Sequence, residues 1–464
     1  MADRIKCVSP VDGSVYAVRP VAKKKDVAAA FSAAHAAQEK WRRVPLRERA
    51  KYCSAAVDAM LAMKDEIVPE LAWQMGRPVR YGAGELRGFE ERARYMIAIA
   101  ERALSDIRPE PKEGFLRYIR REPLGVVFTI APWNYPYLTA VNSIIPALMA
   151  GNAVVLKHAA QTILVGERFA KAFKAAGLPK DVFQNLVLSH EQTAQIISGG
   201  HANMVCFTGS VAGGKAMEKA AAGRFINVGL ELGGKDPAYV RPDANMAHAI
   251  ENLVDGAFFN SGQSCCGIER IYVHKKVWGD FVDGVVDLTK KYVLGSPLEE
   301  ATTLGPLVKP EAADFVRKQI ASALRGGARA HIDPKAFAHD KKGSAYMAPQ
   351  VLTGVNHQMS VMTEESFGPV AGIMKVSDDE EAIQLMNDSP YGLTAAIWTE
   401  DAEAAQKIGN EIETGTVFMN RCDYLDPALT WTGVKDTGRG ATLSVIGYEA
   451  LTRPKSYHLR TKTS

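Results

Sequence analysis

A carboxylate and a thiol stand 34 residues apart near the middle of the chain, at Glu231 and Cys265. A thiolate can attack a carbonyl carbon and hold the product as a thioester. A carboxylate beside it can take a proton from the water that releases that product. Burial of such a carboxylate would raise its pKa toward the range that suits this task. A cysteine in a turn is more often a buried packing residue, and a glutamate at a strand end is as often exposed, so the pair by itself allows covalent acyl chemistry without assigning it.

Two further segments carry groups suited to chemistry. Asn134 lies in a proline-rich turn, and an asparagine amide can donate to a tetrahedral oxyanion. Gly209, Ser210 and Gly214 open a helix directly after a strand, where free N–H groups can bind a phosphate. Taken singly, the first is a rigid turn and the second a weak signal.

In order and spacing, these segments resemble the signature motifs of the aldehyde dehydrogenase superfamily, and the resemblance spans nearly the whole chain. The five motifs are Ala131-Pro132-Trp133-Asn134-Tyr135-Pro136, Phe207-Thr208-Gly209-Ser210, Leu230-Glu231-Leu232-Gly233-Gly234-Lys235, Phe258-Phe259-Asn260-Ser261-Gly262-Gln263-Ser264-Cys265-Cys266 and Glu364-Glu365-Ser366-Phe367-Gly368-Pro369-Val370.

The resemblance implies that Cys265, two residues after Gln263, is the nucleophile and that Cys266 is a packing neighbour. It also implies an oxyanion hole formed by the Asn134 side chain and the backbone N–H of Cys265. Branches that pass the acyl group to coenzyme A generally lack the glutamate. Glu231 therefore favours hydrolysis to a free acid.

The resemblance further implies NAD or NADP as cofactor. Lys157 would meet the adenine ribose, and Glu365 and Phe367 would meet the nicotinamide ribose and ring. The residues assigned to cofactor binding in this way are Trp133, Lys157, Gly209, Ser210, Gly214, Leu232, Glu365 and Phe367.

The chain departs from the common pattern at two positions. Many NAD-using members have a glutamate three residues after the lysine, where this chain has Ala160. A carboxylate would repel the 2′-phosphate of NADP and alanine does not, so NADP stays open, with Lys157 or His158 as phosphate ligand. Gly440 replaces a common glutamate that lies on a proton path in some members, which puts a relay of that type in doubt.

Tyr135, Phe259 and Trp431 are predicted to line the substrate channel, because they fall near the channel positions of relatives. Tyr135 and Trp431 resemble part of the aromatic box that holds an ammonium group in betaine and amino-aldehyde enzymes. Asn142 stands where that box usually has tryptophan, so an aromatic wall for general aldehydes is the plainer interpretation. Asp423 is predicted to solvate a loop.

The pattern of apolar residues predicts an α/β fold. From Gly125 onward, short β-branched runs alternate with helical segments, which indicates parallel sheets covered on both faces. The predicted ranges are 1–112 and 125–233 for a Rossmann-like cofactor domain, 234–435 for an α/β catalytic domain, and 113–124 with 445–464 for a small β oligomerisation element. The resemblance implies a homodimer or homotetramer.

Helical periodicity predicts helices in the first third of the chain, over 26–41, 46–75 and 81–107. A charged alternating strand is predicted over 115–121. Its edge must pair, and another subunit is one candidate.

Composition narrows the function classes. Of 464 residues, 47% are hydrophobic and 23% are charged, and no apolar run approaches the ~20 residues of a membrane span. The net charge of +4 is small and the basic residues are scattered, so no nucleic-acid surface is expected. Six cysteines and ten histidines lack metal-ligand spacing, so neither a metal nor a disulfide framework is expected. The polar start lacks the apolar core of a signal peptide, so a cytoplasmic enzyme is expected.

The sequence thus predicts an NAD(P)-dependent aldehyde dehydrogenase that forms a cysteine thiohemiacetal and then a thioester. Betaine, amino-aldehyde and semialdehyde substrates stay open as specific versions. Two other interpretations also stay open: a coenzyme A-acylating or esterase-like enzyme that uses the same thiol, and a catalytically silent relative.

Overall fold

The computed structural model describes residues 4–463 and confirms the predicted α/β class. Two mainly parallel sheets carry the fold, with helices packed on their faces. Residues 1–3 and 464, which fall inside the predicted domain ranges, lie outside the described residues. Within residues 4–463, no helix combines the length and apolar character needed to cross a membrane.

The first third of the chain is a hairpin followed by four helices. The hairpin was not expected from the sequence, and the helix predicted over 46–75 is two helices because Met63 leaves the helical region at φ −91° and ψ 12°. The elements are β1 (Arg4–Val8), β2 (Val15–Pro20), α1 (Lys24–Trp41), α2 (Leu46–Leu61), α3 (Lys64–Met75) and α4 (Val79–Ala103).

The next segment contains a charged strand and then the strands and helices of the first large sheet. The elements are β3 (Phe115–Pro123), β4 (Val126–Ile130), α5 (Pro136–Ala150), β5 (Ala153–Lys157), α6 (Ile163–Ala175), β6 (Phe183–Asn185), α7 (His190–Ser198), β7 (Met204–Thr208), α8 (Val211–Ala221) and β8 (Asn227–Glu231).

The second large sheet follows. Its elements and the small pieces around it are β9 (Asp236–Val240), α9 (Met246–Phe258), β10 (Ile268–His274), α10 (Trp278–Thr289), α11 (Pro310–Arg325), β11 (Arg329–Ala330), β12 (Gln350–Thr353), α12 (Ser360–Thr363), β13 (Val370–Val376), α13 (Asp379–Asn387), β14 (Tyr391–Gly392), β15 (Thr394–Trp398), α14 (Ala402–Glu411) and β16 (Thr416–Met419). The chain ends with β17 (Val434–Lys435), β18 (Gly438–Arg439), α15 (Ser444–Ala450) and β19 (Thr452–Arg460).

The first large sheet has the strand order β18-β8-β7-β4-β5-β6. Every residue of β4 and β5 is buried, which explains their continuous apolar sequence. The order of strands reverses between β4 and β7. In doubly wound sheets, ligands bind beyond the carboxyl ends of the strands at such a point.

The second large sheet has the order β11-β12-β13-β10-β9-β15-β16. The chain passes from the first sheet to the second between Glu231, the last residue of β8, and Asp236, the first of β9. The crossing therefore places the end of β8 next to the loop that precedes β10.

The C-terminal segment returns to both earlier parts of the fold. Strand β19 pairs antiparallel with all of β3, so the charged strand finds a partner within its own chain. Strand β18 pairs with the end of β8, with Gly438 opposite Glu231. A Cβ at Gly438 would lie 2.3 Å from the Leu230 carbonyl oxygen, so only glycine allows this approach.

Candidate active site

Cys265 lies in a loop whose backbone is held in an unusual conformation. Asn260, Ser261 and Gly262 all have positive φ, at 52°, 58° and 71°. Left-handed conformations of non-glycine residues cost of order 1–3 kcal/mol each and persist only when the surroundings hold them. The Asn260 amide does so by donating to the carbonyls of Asn134 (3.2 Å) and Gln263 (3.1 Å). The loop before the thiol is therefore held by its own side chain.

Asn134 lies against this loop. Its Nδ2 donates to the Gln263 carbonyl at 3.2 Å, and its own carbonyl accepts from Nη2 of Arg77 at 2.6 Å. Arg77 forms a buried ion pair with Glu85 of α4. The second oxygen of Glu85 accepts the backbone N–H groups of Tyr137 and Leu138 at 2.9 and 3.0 Å, at the start of α5.

Sequence reasoning missed Arg77, Glu85 and Asn260. A glutamate within a helical apolar pattern is a weak signal, since only the structure shows that Glu85 is buried and paired. The pair fixes the turn that carries Asn134.

Both residues adjacent to Cys265 are bonded to one carboxylate oxygen. Oγ of Ser264 and Sγ of Cys266 donate to Oδ1 of Asp423 at 2.8 and 2.9 Å. The prediction that Asp423 merely solvates a loop is therefore wrong, because it lies half-buried beside the thiol loop. The pKa of Cys266 is raised well above its usual range by its contact with Cys265 and by burial. Cys266 is consequently held as a thiol that donates.

Glu231 is held at the end of β8 by two hydroxyls. Thr442 donates to Oε1, and Thr208 donates to Oε2 at 3.4 Å. Burial raises the pKa of Glu231, while Thr442, Arg92 and Thr208 oppose this effect. Thr442 reaches Glu231 because β18 pairs with β8, which sequence reasoning missed.

Two cavities meet at Glu231. The substrate-side cavity, of about 390 Å³, is lined by Glu231 and Cys265 and by the three predicted channel residues, Tyr135, Phe259 and Trp431. The rear cavity, of about 340 Å³, is lined by Glu231 and several hydroxyl groups, including those of Thr208 and Thr442. Glu231 therefore has access to space on both sides.

The predicted phosphate-binding turn lies at the start of α8. Oγ of Ser210 accepts the N–H of Gly213 at 3.2 Å, which caps the helix. The N–H of Gly209 donates to the Glu231 carbonyl at 3.0 Å, and a Cβ at Gly214 would lie 2.6 Å from Leu232. The turn is thus joined to the strand that carries the carboxylate.

Lys157 ends β5 and is 8% exposed, so it is not a solvated strand end. Burial lowers its pKa, and it makes no hydrogen bond within residues 4–463. A buried ammonium without a side-chain partner at the carboxyl end of a sheet strand fits an anionic dinucleotide.

His158 does not fit the role of phosphate ligand that was left open for it. Its ring is buried, Nδ1 accepts the N–H of Ala159 at 2.9 Å, and Nε2 lies 3.2 Å from the Pro136 carbonyl. Burial lowers its pKa to about 4. The ring is therefore neutral and both nitrogens are used. Ala160 is exposed at the end of the same segment.

The loop that carries Glu365 and Phe367 is held by a second buried ion pair. Lys235 pairs with Glu269, and Glu269 accepts the backbone N–H groups of Ser366 and Phe367 at 2.8 and 2.9 Å. Oε1 of Glu365 accepts the N–H of Gly234 at 3.0 Å.

Burial and the neighbouring Glu269 raise the pKa of Glu365 to about 7. The ring of Phe367 packs edge-to-face against Trp133 at 5.6 Å between centroids. The residues assigned to the nicotinamide end of the cofactor are thus together at the end of the first sheet. No group of three or more potential metal ligands occurs in the described part of the chain.

A doubly wound sheet and a cavity lined by a thiol and a carboxylate, beside a loop held by the Asn134 amide, are typical of dinucleotide-dependent oxidoreductases. The sequence profile of the Aldehyde dehydrogenase family matches residues 1–457, and the chain belongs to this family.

Similar proteins include enzymes of several substrate classes. A succinate-semialdehyde dehydrogenase [NADP(+)] of Mycobacterium avium (strain 104) is 32% identical over 455 residues, covering 97% of this chain and 96% of that protein. The NADP-dependent glyceraldehyde-3-phosphate dehydrogenase from Bacillus halodurans C-125, solved with NADP, superposes with a TM-score of 0.93 at 31% identity, covering 99% and 96% of the two chains. The betaine aldehyde dehydrogenase from Staphylococcus aureus, solved with NAD+, has a TM-score of 0.93 at 28% identity, with 100% and 92% covered.

These similarities confirm the predicted activity class. The protein is an NAD- or NADP-dependent oxidoreductase that converts an aldehyde to a carboxylic acid. They do not distinguish between the two cofactors.

Proposed function

We propose that Cys265 is the nucleophile of this reaction, Asn134 its oxyanion donor and Glu231 its general base. The observation that carries the proposal is that Cys265 and Glu231 line one cavity while the Asn134 amide is bonded to the loop that ends in the thiol. Thiol, carboxylate and amide donor are the three groups that the chemistry needs.

The thiolate of Cys265 attacks the aldehyde carbon, and a C–S bond forms as the carbonyl oxygen becomes an oxyanion. The Asn134 amide and the Cys265 N–H donate to that oxygen. Collapse of the oxyanion expels hydride and leaves a thioester on Cys265. Bound NAD+ or NADP+ supplies the hydride acceptor.

Glu231 then takes a proton from a water molecule that attacks the thioester carbon. The tetrahedral intermediate collapses, the C–S bond breaks, and the acid leaves as the thiolate is restored. The raised pKa of Glu231 makes it a stronger base than an exposed glutamate.

The residues proposed for the cofactor fit their expected parts of the dinucleotide. The free N–H groups at the start of α8 would hold the pyrophosphate, and Lys157 would hold the adenosine ribose or its phosphate. Glu365 would accept from the nicotinamide ribose. Phe367 and Trp133 would orient the ring.

Two of the alternatives are less well supported. An acyl transfer to coenzyme A is disfavoured by Glu231, which is positioned to activate water. A betaine or amino-aldehyde substrate is disfavoured because the guanidinium of Arg77 already lies 4.5 Å from the centroid of the Tyr135 ring. The mycobacterial relative instead suggests a semialdehyde.

We also propose an oligomer that uses the sheet of β3 and β19. Leu116 and Leu459, paired in this sheet, are 42% and 46% exposed, and a two-stranded sheet leaves two free edges. All six cysteines are free, which supports a cytoplasmic location in a reducing compartment.

The test is cofactor reduction followed at 340 nm, with Cys265→Ala as the decisive variant. Cys265→Ala should lose at least about 10³-fold in kcat, since the covalent step is removed. Cys266→Ala should retain turnover, reduced by the lost bond to Asp423. Cys53→Ala, which removes a remote buried thiol in α2, is the matched control. Near-full turnover by Cys265→Ala would overturn the assignment.

A product assay with and without coenzyme A tests the hydrolytic step. Free acid should form at the same rate in both. A coenzyme A thioester would assign the chain to the acylating branch.

A further inference from the structure

Five lysine or arginine side chains are buried within residues 4–463, and their partners divide them into two groups. Three are satisfied by the protein itself: Arg77 and Lys235 have carboxylate partners, and Arg270 donates to three backbone carbonyls. The other two, Lys157 and Arg92, are each 8% exposed and have no carboxylate within 4.0 Å. Lys157 lies at the proposed cofactor site. Arg92 opposes the raised pKa of Glu231, and its free hydrogen-bond donors have no role in the chemistry described so far.

Arg92 lies on α4 and lines the substrate-side cavity together with Cys265 and Glu231. Its Nη1 donates to the Leu138 carbonyl at 2.7 Å and to Oδ1 of Asn142 at 3.3 Å. Nε and Nη2 make no hydrogen bond within the described residues. These two nitrogens form one edge of the guanidinium, and that edge is the fork that carboxylates bind with two parallel hydrogen bonds.

A second donor next to Arg92 also lacks a partner. Nδ2 of Asn142 is fully buried and unbonded. Because arginine only donates, Oδ1 of Asn142 must face Arg92, and Nδ2 is directed elsewhere. Nδ2 is fully enclosed, whereas Nε and Nη2 of Arg92 keep some accessible surface beside the cavity, so the donors that a ligand acceptor can reach are those of Arg92.

The charged groups around Arg92 do not supply that acceptor. Glu85 is held by Arg77, Asp423 by the neighbours of Cys265, and Glu91 by the hydroxyl of Tyr424 at 2.7 Å. Asp255 lines the same cavity but is exposed, as is Glu91. Glu231 lines the same cavity and its charge acts on Arg92, but its oxygens are bonded to Thr442 and Thr208 and none forms an ion pair with Arg92 within 4.0 Å. Arg92 therefore has no carboxylate directly on its free edge.

We propose that the free edge of Arg92 binds a carboxylate of the substrate, which makes this enzyme selective for aldehydes that also carry an acid group. The inference rests on the proposed function, because the carboxylate would be anchored while Cys265 attacks the aldehyde at the other end. A single guanidinium edge matches a carboxylate better than a phosphate dianion, which would require more positive charge.

The test compares substrates that differ in charge. Rates are measured with 4-oxobutanoate, neutral butanal, betaine aldehyde and glyceraldehyde 3-phosphate, each with the protein as isolated and with Arg92→Gln, Arg92→Lys and Arg94→Gln. Arg94 is the matched control because it lies on the same helix but pairs with Asp58 and Glu90 away from the cavity.

The unmodified enzyme should prefer 4-oxobutanoate, and its KM for 4-oxobutanoate should be lower than its KM for the other aldehydes. Arg92→Gln should lower kcat/KM for 4-oxobutanoate by about 30- to 100-fold, which is the loss expected for a charged hydrogen bond. The same substitution should change kcat/KM for butanal by less than about threefold. Arg92→Lys should recover part of the loss. Arg94→Gln should leave the ratio unchanged.

Equal losses with 4-oxobutanoate and butanal would overturn the inference and assign Arg92 to the support of Glu231 or Cys265. A preference for butanal or betaine aldehyde would also overturn it. A preference for glyceraldehyde 3-phosphate would make the anion a phosphate and the carboxylate assignment wrong.

Calorimetric titration with succinate separates this inference from the proposed function. Succinate should bind the unmodified enzyme and not Arg92→Gln, whether or not any aldehyde turns over. If the unmodified enzyme binds succinate but turns over none of the aldehydes, the proposed catalytic roles are rejected and the anion site is retained. Failure of succinate to bind the unmodified enzyme would reject the anion site alone.

Discussion

Two buried cations near the candidate site, Lys235 and Arg92, differ in whether they have an ion-pair partner. On the cofactor side, Lys235 and Glu269 neutralise each other and use their remaining hydrogen-bonding capacity to hold the loop of Phe367. On the substrate side, Arg92 is buried without a counter-charge. Paired buried charges fix the shape of a site before any ligand binds. An unpaired buried charge is instead stabilised when a ligand of opposite charge binds to it. The difference suggests that the residues for the chemistry common to the family are preorganised. Substrate selectivity would then depend on the unpaired guanidinium of Arg92.

The largest expected effect comes from breaking the paired side. Lys235→Met leaves the buried Glu269 without its counter-charge, although the N–H groups of Ser366 and Phe367 still donate to it, and removal of one member of a buried pair costs about 3–5 kcal/mol. Denaturant unfolding, compared with the double variant Lys235→Met/Glu269→Met, measures this cost. The double variant should recover part of it. Equal stability of Lys235→Met and the unmodified protein would show that the pair does not hold the loop.

A carboxylate added beside the other unpaired cation should change cofactor choice. Ala160→Glu places a negative charge three residues after Lys157, where it would pair with the lysine and repel a 2′-phosphate. We expect kcat/KM for NADP to fall about 30-fold, with a smaller change for NAD. Ala160→Gln is the control of equal size. An equal fall with both cofactors would show that the residue acts on the dinucleotide as a whole.

Removal of the hydroxyl that holds the base should alter the pH profile. Thr442 donates to Glu231 and so favours its charged form. Thr442→Val should raise the pKa of Glu231 further, so the acid limb of the kcat profile should move to higher pH, and kcat at pH 7 should fall about fivefold. Thr442→Ser keeps the hydroxyl donor, so the acid limb of its kcat profile should lie at the same pH as in the unmodified enzyme. A loss of kcat with no movement of the limb would point to packing alone.

The smallest expected effect concerns Glu365, whose pKa is raised to about 7 by burial and by Glu269. Since its charged form accepts ribose hydroxyls more strongly, cofactor Kd should increase about threefold as pH falls from 8 to 6. Glu365→Gln should bind more weakly at pH 8 and show little pH dependence. Fluorescence titration of the apoenzyme measures both. A pH-independent Kd in the unmodified enzyme would contradict the assignment.

The site residues that could be proposed from the sequence all lie in continuous segments. Glu231, Cys265 and the turn of Gly209 each sit in a local pattern, and strands alternating with helices gave the α/β class. Register, strand length and the N-terminal hairpin were less accessible, because β6 and the hairpin depend on neighbours that are distant in sequence.

The supporting residues could not be predicted for the same reason. Arg77 lies 57 residues before the Asn134 it holds, and Thr442 lies 211 residues after Glu231. Asp423 was wrongly placed in solvent because its partners are 157 and 159 residues away. Nothing in the sequence near Arg92 shows that it is buried or that its free edge is unpaired.

Because Gly438 pairs with Glu231, the C-terminal segment contributes both to the candidate site and to the proposed oligomer contact. The same stretch of chain that brings Thr442 to the base continues through α15 into β19, the strand proposed for assembly. Proteolysis between β18 and α15 is therefore expected to lower activity by releasing Thr442 from Glu231. Activity would then depend on whether the C-terminal segment is packed against the first large sheet. Any assembly that holds β19 in place would also stabilise the contact of Thr442 with the proposed base, Glu231.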